Sequence, residues 1–318
     1  MSDVKDIIII GGGPAGLTAG IYSARARMKT LLLEKMVPGG QVLMADVIEN
    51  FPGFPQGTGG QKLADLMLKQ AEAVGLEISN RDVNKIVLKK NEKDPFVIET
   101  AEGDTFKALS LIICTGAIWN ALGVPGEDKL KGRGVSYCAT CDGPLFKNKD
   151  IVVVGGGDTA LGDAIFLTRF ANKVTVVHRR DKLRATQIIQ ERAFNNKKIE
   201  LCLKSVVTEV TGNAKVEGIK VKNVSTNEEK TIKADGVFVL IGVSPNSGIF
   251  KGLLKLDEKG YIVSDEDMRA SVDGIFACGD VRKKSLRQIV TAAGEGATAA
   301  VSAEHYVEKL KGTAYPRP

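Results

Sequence analysis

Two segments of the chain show the same order of hydrophobic and polar positions: an unbroken apolar run, a group of glycines, and an apolar stretch containing alanine. The apolar runs are Ile7–Ile10 and Ile151–Val154. Short apolar runs that end in glycine are typical of strands buried on both faces of a parallel sheet. The stretches that follow, "LTAGIYSARAR" and "LGDAIFLTRF", predict helices, and "KTLLLEK" and "KVTVVHRR" predict the next strands. The pattern therefore predicts an α/β protein with two Rossmann-like units.

The first glycine group has the spacing of a dinucleotide-binding turn, G-x-G-x-x-G, and comprises Gly11, Gly13, Pro14, Ala15 and Gly16. Gly11 permits the tight turn, Gly13 lets the backbone approach a pyrophosphate, and Gly16 lets helix and strand pack closely. The pyrophosphate is expected at the helix N-terminus, where free N–H groups and the helix dipole favour an anion. Glu34 ends the next predicted strand, 23 residues after Gly11, where a carboxylate accepts hydrogen bonds from a ribose.

The second glycine group is a G-x-G-x-x-A variant and comprises Gly155, Gly157, Asp158, Thr159 and Ala160. The strand after it ends without an acidic residue, and a basic set stands there instead: His178, Arg179, Arg180 and Arg184. A carboxylate would repel a 2′-phosphate, whereas guanidinium groups bind it through paired charge-assisted hydrogen bonds. The second site is therefore predicted to bind NADP. The alternative for the arginines is a solvated basic helix start.

Length and composition fit two domains. The chain has 318 residues, of which 43% are hydrophobic and 26% charged, with 35 glycines that suit many tight strand-to-helix turns. The first residues contain no signal-peptide core, and no apolar run approaches a membrane span, so we expect a cytoplasmic protein without a membrane partner. The net charge is +6, but the basic residues are scattered among acidic ones, so we expect no nucleic-acid partner.

Of the five cysteines, one pair has a meaningful spacing: Cys138 and Cys141 form C-A-T-C, directly followed by Asp142. A four-residue disulfide loop stabilises the folded state by less than about 2 kcal/mol through the unfolded chain, so a purely structural disulfide explains the cysteine spacing poorly. A zinc site needs further ligands, and with two histidines and no second C-x-x-C we expect no metal. A redox pair is left, with Asp142 either as its acid–base group or as a turn residue before Gly143 and Pro144.

Two nucleotide sites with different ribose-binding residues imply two cofactors in one chain. A flavin takes up a hydride from a nicotinamide and passes electrons on, which protein side chains do not do. We therefore expect a tightly bound FAD at the first site, an exchangeable NADPH at the second, and the cysteine pair as the electron acceptor.

Several motifs follow one another between residues 6 and 300: "GGGPAG", "GGQVLMADVIENFPGFP", "CATCDG", "GGGDTA", "HRRDKLR", "IGVSPN" and "FACGDVRKKSLRQIVTAAGEGATAA". Together they resemble the low-molecular-weight, bacterial and archaeal type of thioredoxin reductase. The resemblance implies a thioredoxin-disulfide reductase that passes electrons from NADPH through FAD to Cys138 and Cys141. The final acceptor would be thioredoxin or a thioredoxin- or glutaredoxin-like protein. The resemblance also implies a homodimer.

The same resemblance implies two Rossmann-like three-layer domains, with the NADPH domain inserted into a discontinuous FAD domain. The FAD domain is expected at residues 1–114 and 247–318, and the NADPH domain, which carries the redox pair, at residues 115–246. The crossings at residues 114–117 and 241–246 are the expected hinges.

Further cofactor-binding residues follow from the resemblance: Lys35, Gly39, Gly40, Gln41, Asn50, Val83, Gly116, Gly279, Asp280, Val281, Arg287, Gln288 and Ile289. The resemblance also implies that Cys141 faces the flavin and that Cys138 attacks the thioredoxin disulfide. Cys114 and Cys278 stand near the expected flavin, where alanine is common in the family. They are either small buried hydrophobic residues or a regulatory thiol.

Two other functions stay open from the sequence. A ferredoxin–NADP reductase on the same scaffold should lack the C-x-x-C pair, so Cys138 and Cys141 argue against it. A non-catalytic nucleotide-binding redox sensor would keep both glycine groups without the electron relay. A flavin spectrum that NADPH bleaches and oxidised thioredoxin restores fits neither of them.

Overall fold

The computed structural model describes residues 4–45 and 48–314, without the side chains of Met44, Thr140 and Cys141. Its strands are β1 (Val4–Ile10), β2 (Thr30–Glu34), β3 (Glu77–Asn80), β4 (Val83–Val87), β5 (Phe96–Thr100), β6 (Thr105–Ile113), β7 (Ala117–Trp119), β8 (Val135–Ser136), β9 (Asp150–Val154), β10 (Lys173–Val177), β11 (Ile199–Cys202), β12 (Ser205–Thr211), β13 (Gly218–Asn223), β14 (Glu229–Lys233), β15 (Gly236–Val239), β16 (Val243–Pro245) and β17 (Ile275–Ala277).

The α-helices are α1 (Pro14–Arg25), α2 (Gly60–Ala73), α3 (Glu127–Leu130), α4 (Ala139–Asp142), α5 (Asp158–Leu167), α6 (Gln187–Phe194) and α7 (Ile289–Lys311). Short 3₁₀ helices lie at Gly40–Met44, Gly143–Phe146, Gly248–Phe250 and Gly279–Val281. Among the helices of residues 4–45 and 48–314, none has the length and apolar character needed to cross a bilayer.

The chain forms two compact units. The first comprises Met1–Ile118 and Ser244–Pro318, and the second comprises Trp119–Val243. The chain leaves the first unit within β7 and returns within β16, close to the expected boundaries after residues 114 and 246. The second unit is therefore an insertion into the first. Which cofactor each unit binds stays a prediction.

The first unit is built on a sheet in the order β3-β2-β1-β6-β5-β4, with β17 also paired to β6. The pairs that involve β1, β2, β3 and β17 are parallel, whereas β4 and β5 form antiparallel pairs. Along β1, Ile7 and Ile9 belong to a hydrophobic cluster with residues of α1, α2 and α7, and Ile8 and Ile10 belong to a separate cluster. Because both faces of the strand are buried over Ile7–Ile10, this part of its sequence is continuously apolar.

The second unit repeats this arrangement with a different outer layer. Its sheet has the order β11-β10-β9-β15-β8, and all its pairs are parallel. Along β9, Ile151 and Val153 pack with residues of α5 and α6, while Val152 and Val154 pack with residues of the antiparallel sheet β12-β13-β14. The two sheets, one mixed and one parallel, each have hydrophobic clusters on both faces, which confirms the predicted α/β fold class.

Candidate active site

The turn between β1 and α1 is tight on its inner side and open at one glycine. Gly11 has φ = +105°, and a Cβ added there would lie 2.4 Å from the carbonyl oxygen of Cys114. A Cβ added to Gly16 would lie 1.9 Å from the carbonyl oxygen of Gly11, so the close packing of α1 on β1 requires glycine. A Cβ added to Gly13 would meet no atom within 4 Å. The backbone at Gly13 therefore leaves room for a pyrophosphate at the N-terminus of α1.

The carboxylate of Glu34 holds this glycine turn. Its Oε2 accepts a hydrogen bond from Gly12 N (2.6 Å), and its Oε1 accepts one from Met36 N (2.9 Å). Gly39 N donates to the carbonyl oxygen of Gly12 (2.8 Å), which brings the segment with Gly40 to the same turn. Each carboxylate oxygen has further lone pairs, so Glu34 can bind a ribose hydroxyl while it positions the turn. The positioning role was missed from the sequence, and the ribose contact stays a prediction.

Two side-chain hydrogen bonds join segments that are far apart in the sequence. Gln41 Nε2 donates to the carbonyl oxygen of Ala117 (2.6 Å), next to Gly116. Asn50 Nδ2 donates to Oε1 of Gln288 (2.9 Å). Gln288 is also the N-cap of α7, in a reciprocal capping box with Thr291. The segment around Asn50 is thus tied to the start of α7.

The 3₁₀ turn at Gly279–Val281 packs against α1. A Cβ added to Gly279 would lie 3.0 Å from the Cβ of Ala15, which belongs to the first glycine group. Glu295 of α7 accepts a hydrogen bond from Gly279 N (2.8 Å) and forms an ion pair with Lys284 (3.2 Å). Lys284 also pairs with Asp280 (3.1 Å). Glu295 and Lys284 were not identified from the sequence, and they hold a turn predicted to contact FAD.

The other residues assigned to the first site lie at different depths. The guanidinium of Arg287 stands 4.0 Å from the ring centre of Tyr261, and Val281 is fully buried. Val83 is buried in a hydrophobic cluster with Ile10, whereas Lys35 is exposed. Ile289, the first residue of α7, packs against the cluster formed with α1. Their contacts with a cofactor stay predictions.

The second glycine turn, between β9 and α5, has the same geometry as the first. A Cβ added to Gly155 would lie 2.3 Å from the carbonyl oxygen of Leu240 and 2.6 Å from the Cβ of Ala160. A Cβ added to Gly157 would meet no atom within 4 Å. This turn therefore also leaves its backbone open for a pyrophosphate, at the N-terminus of α5 next to Thr159.

Hydrogen bonds bring the predicted phosphate-binding segment to the second turn. Arg184 N donates to the carbonyl oxygen of Gly156 (2.6 Å), and Asp158 Oδ1 accepts a hydrogen bond from Thr186 N (2.6 Å). Three exposed arginines have no ion pair within the described part of the chain: Arg179, Arg180 and Arg184. Their charges are therefore available to a 2′-phosphate, and the residues fit NADPH.

His178 lies buried beside the same turn. A Cβ added to Gly156 would lie 2.3 Å from its Nδ1, and its Nε2 has no hydrogen-bond partner among the described residues. Burial lowers the pKa of His178, and the charges of Arg184, Arg180 and Arg179 lower it further. The ring is therefore neutral at neutral pH. Its contact with NADPH stays a prediction.

Cys138 directly precedes α4 and is disulfide-bonded. The side chain of Cys141 lies outside the described residues, so the pairing of Cys138 with Cys141 stays a prediction. Ser136 Oγ accepts a hydrogen bond from Cys138 N (3.1 Å) and donates one to Cys138 O (3.2 Å). Asp142 N also donates to Cys138 O (3.2 Å), so the half-buried Asp142 lies one turn after Cys138.

A buried carboxylate holds the segment before this turn. Glu127 is 2% exposed and accepts hydrogen bonds from three donors: Leu122 N (2.8 Å), Gly123 N (2.7 Å) and Tyr137 Oη (2.8 Å). Burial and the bond to Glu127 raise the pKa of Tyr137, so the phenol stays protonated and remains a donor. Sequence reasoning missed Glu127; its available signal was the position of Tyr137 directly before Cys138.

Known proteins match this sequence over nearly the whole chain. The family model described as pyridine nucleotide-disulphide oxidoreductase matches residues 5–296. The thioredoxin reductase of Listeria monocytogenes is 48% identical over 309 residues, which cover 97% of this chain and 95% of that protein. The thioredoxin reductase of Bacillus subtilis is 47% identical over 316 residues, which cover 98% of each chain.

A solved structure agrees with the sequence comparison. The crystal structure of Lactococcus lactis thioredoxin reductase matches with a TM-score of 0.93 at 45% identity, over 96% of this chain and 99% of that one. These matches confirm the resemblance inferred from the motifs and, with it, an FAD- and NADPH-using flavoenzyme. The chain therefore belongs to the pyridine nucleotide-disulphide oxidoreductase family, within its low-molecular-weight thioredoxin reductases.

Proposed function

We propose that this protein is an NADPH-dependent thioredoxin-disulfide reductase whose Cys138 disulfide passes electrons to thioredoxin or a related protein. The observation that carries the proposal is the disulfide at Cys138, in the same compact unit as the second glycine turn. In the predicted pairing with Cys141 the disulfide loop contributes less than about 2 kcal/mol of loop entropy. Reactivity therefore explains the pair better than stability does.

The two glycine turns are proposed to bind different cofactors. The first turn, with Gly13 open and Glu34 beside it, is proposed to hold FAD. The second turn, with Gly157 open and Arg179 and Arg180 unpaired, is proposed to hold NADPH through its pyrophosphate and 2′-phosphate. When bound, the two cofactors supply hydride transfer and delivery of an electron pair to a disulfide.

Cys138 and Cys141 carry the exchange with the protein substrate. Reduction of their disulfide takes up two electrons and two protons, and Asp142, the next residue after Cys141, is the proposed donor of a proton to the Cys141 thiolate. The Cys138 thiolate then attacks the thioredoxin disulfide and forms a mixed disulfide, which the Cys141 thiolate resolves. This regenerates the Cys138–Cys141 disulfide and releases thioredoxin as a dithiol, so electrons and protons balance.

The redox chemistry of the substrate requires a strong donor. Thioredoxin has a reduction potential of about −270 mV, which is at or below the reduction potential of the cytosolic glutathione pool as measured by biochemical extraction. NADPH is a sufficiently strong donor, which supports thioredoxin as the acceptor. A cytoplasmic homodimer completes the proposal on the strength of the family; sedimentation should give about twice the 34.0 kDa of one chain.

The visible spectrum of the purified, FAD-loaded protein tests the proposal. NADPH is expected to bleach the flavin absorbance, and oxidised thioredoxin is expected to restore it over repeated cycles. Bleaching by NADPH without recovery in thioredoxin would favour a ferredoxin–NADP reductase-like flavoenzyme. A protein that stays colourless after reconstitution with FAD would overturn the proposal and favour a non-catalytic sensor.

A further inference from the structure

Two cysteines that the proposed reaction does not use meet inside the first unit. Cys114 follows β6 and Cys278 follows β17, and these parallel strands are in register up to Ile113 and Ala277, so the two cysteines are the next opposite pair. Both are free thiols, and their Sγ atoms lie 3.3 Å apart. Opposite residues on neighbouring strands have the backbone separation that a disulfide requires.

The two thiols are shielded from water. Cys114 is 6% exposed and Cys278 is 0% exposed. Burial raises the pKa of the Cys114 thiol, and the neighbouring Cys278 and the charge of Glu295 raise it further. Because the thiolate is the reactive form, Cys114 reacts slowly. The pair is therefore unsuited to the rapid exchange carried by Cys138, and its oxidation needs sustained exposure to an oxidant.

We propose that Cys114 and Cys278 form a second redox site, at which a hydroperoxide converts the two thiols into a disulfide. The thiolate of one cysteine attacks the O–O bond and becomes a sulfenic acid, and the other thiol displaces the oxygen as water. Two thiols and one hydrogen peroxide thus give one disulfide and two waters, with two electrons passing from sulfur to oxygen. The Sγ atoms must move closer by about 1.3 Å to reach the S–S bond length.

The position of this second redox site gives the disulfide a structural consequence. The carbonyl of Cys114 packs against Gly11, and Cys278 directly precedes Gly279, so the site joins the two turns that are proposed to hold FAD. The bond would close a loop that contains the entire second unit, Trp119–Val243. A long loop constrains the unfolded chain more than a short one, so the oxidised protein should unfold at a temperature several degrees higher. The site does not depend on the proposed function.

A count of thiols in the holoenzyme tests the second redox site. With the predicted Cys138–Cys141 disulfide formed, the denatured protein should show three thiols, those of Cys114, Cys202 and Cys278. After the native holoenzyme is treated with hydrogen peroxide, we expect one thiol, and a non-reducing peptide map should show the peptides of Cys114 and Cys278 joined. Dithiothreitol should then give five thiols, because it also reduces the predicted Cys138–Cys141 disulfide, and the link between the peptides of Cys114 and Cys278 should disappear.

Two variants complete the test. Cys202→Ala removes a buried cysteine in the other unit, and this matched control should fall from two thiols to none with the same linked peptide. Cys278→Ala should stay at two thiols and show no shift in unfolding temperature. The proposal is wrong if the native protein keeps three thiols, if single cysteines become sulfinic or sulfonic acids without a linked peptide, or if the link forms only when peroxide is added in urea.

Discussion

Asn50 and Gln288 are joined by a hydrogen bond of 2.9 Å between their side-chain amides, although 238 positions separate them. Gln288 also caps α7, so the bond connects the segment around Asn50 to the C-terminal helix. Both residues are proposed to contact FAD. Asn50→Ala and Gln288→Ala should each raise the Kd for FAD about threefold to tenfold, as expected for one neutral hydrogen bond.

Fluorescence titration of the apoprotein with FAD measures this effect. In the double variant, the increase in the Kd for FAD should be smaller than the product of the increases in the two single variants, because both substitutions remove the same hydrogen bond. Asn91→Ala is the matched control, since it removes an amide bond to Asp94 (2.8 Å) in the segment between β4 and β5. It should leave the Kd unchanged. Losses that multiply fully would show that Asn50 and Gln288 act independently.

The unpaired arginines should determine the choice between the two nicotinamide cofactors. Arg179→Ala combined with Arg180→Ala should raise the KM for NADPH on the order of a hundredfold, because two charge-assisted contacts with the 2′-phosphate are lost. The KM for NADH should stay nearly unchanged. Steady-state kinetics with each cofactor measures the two KM values.

Arg133→Ala is the matched control for this charge removal. Arg133 is an exposed arginine before β8, and that end of the parallel sheet lies opposite the ends of β9 and β10 that lead to the glycine turn and the arginines. The variant should leave the KM for NADPH unchanged. Equal losses with NADPH and NADH in the double arginine variant would show instead that Arg179 and Arg180 stabilise the unit.

Glu127 should stabilise the segment that leads to Cys138. Glu127→Gln keeps the shape but turns an amide NH₂ toward a buried N–H donor, so the free energy of unfolding should fall by roughly 2–3 kcal/mol. Tyr137→Phe removes only one of the three bonds and should lose about 1 kcal/mol. Urea unfolding measures both. Glu191→Gln, at an exposed position on α6, should have no effect, and an equally small effect of Glu127→Gln would contradict the role assigned to its carboxylate.

Asp163 on α5 should make stability depend on pH. Burial raises the pKa of Asp163 from 3.8 to about 7, so the folded state holds this proton more tightly than the unfolded state does. The stabilisation is complete below the unfolded pKa and is lost as the pH rises through about 7. Asp163→Asn should therefore raise the free energy of unfolding by roughly 2–4 kcal/mol at about pH 8, and by little at about pH 4.

Urea unfolding across this pH range checks the prediction. Asp181→Asn changes an exposed carboxylate of the same unit and serves as the control. It should show no gain that grows with pH. A gain for Asp163→Asn that is the same at both ends of the range would show that burial does not shift its titration.

The central strands could be predicted because burial on both faces leaves a distinct sequence pattern. Ile7–Ile10 and Ile151–Val154 are continuously apolar, and alternate residues of each run pack into different clusters. The outer strands leave no such pattern. β14, for example, is "EKTIK", with one half-buried and four exposed residues, and it is held by its pairing with β13. Its existence depends on a neighbouring strand that the local sequence does not specify.

The candidate site was predictable where only one residue type fits. Gly11 and Gly155 have positive φ and lie against carbonyl oxygens, so their spacing identified both turns. Glu127 and Glu295 were missed because the backbone N–H groups that they bind carry no residue-specific signal, and their side-chain partners Tyr137 and Lys284 lie 10 and 11 positions away. The contact of Cys114 with Cys278 depends on the pairing of β6 with β17, across 164 positions of sequence.

The cysteine that attacks thioredoxin can be identified by trapping the mixed disulfide. Cys141→Ser should form a stable mixed disulfide with thioredoxin through Cys138, because no resolving thiol remains, and the complex should appear as a band on a non-reducing gel. Cys138→Ser should form none, and neither variant should reduce thioredoxin in turnover. A complex formed by Cys138→Ser and not by Cys141→Ser would contradict the role of Cys138 as the thiol that attacks the substrate.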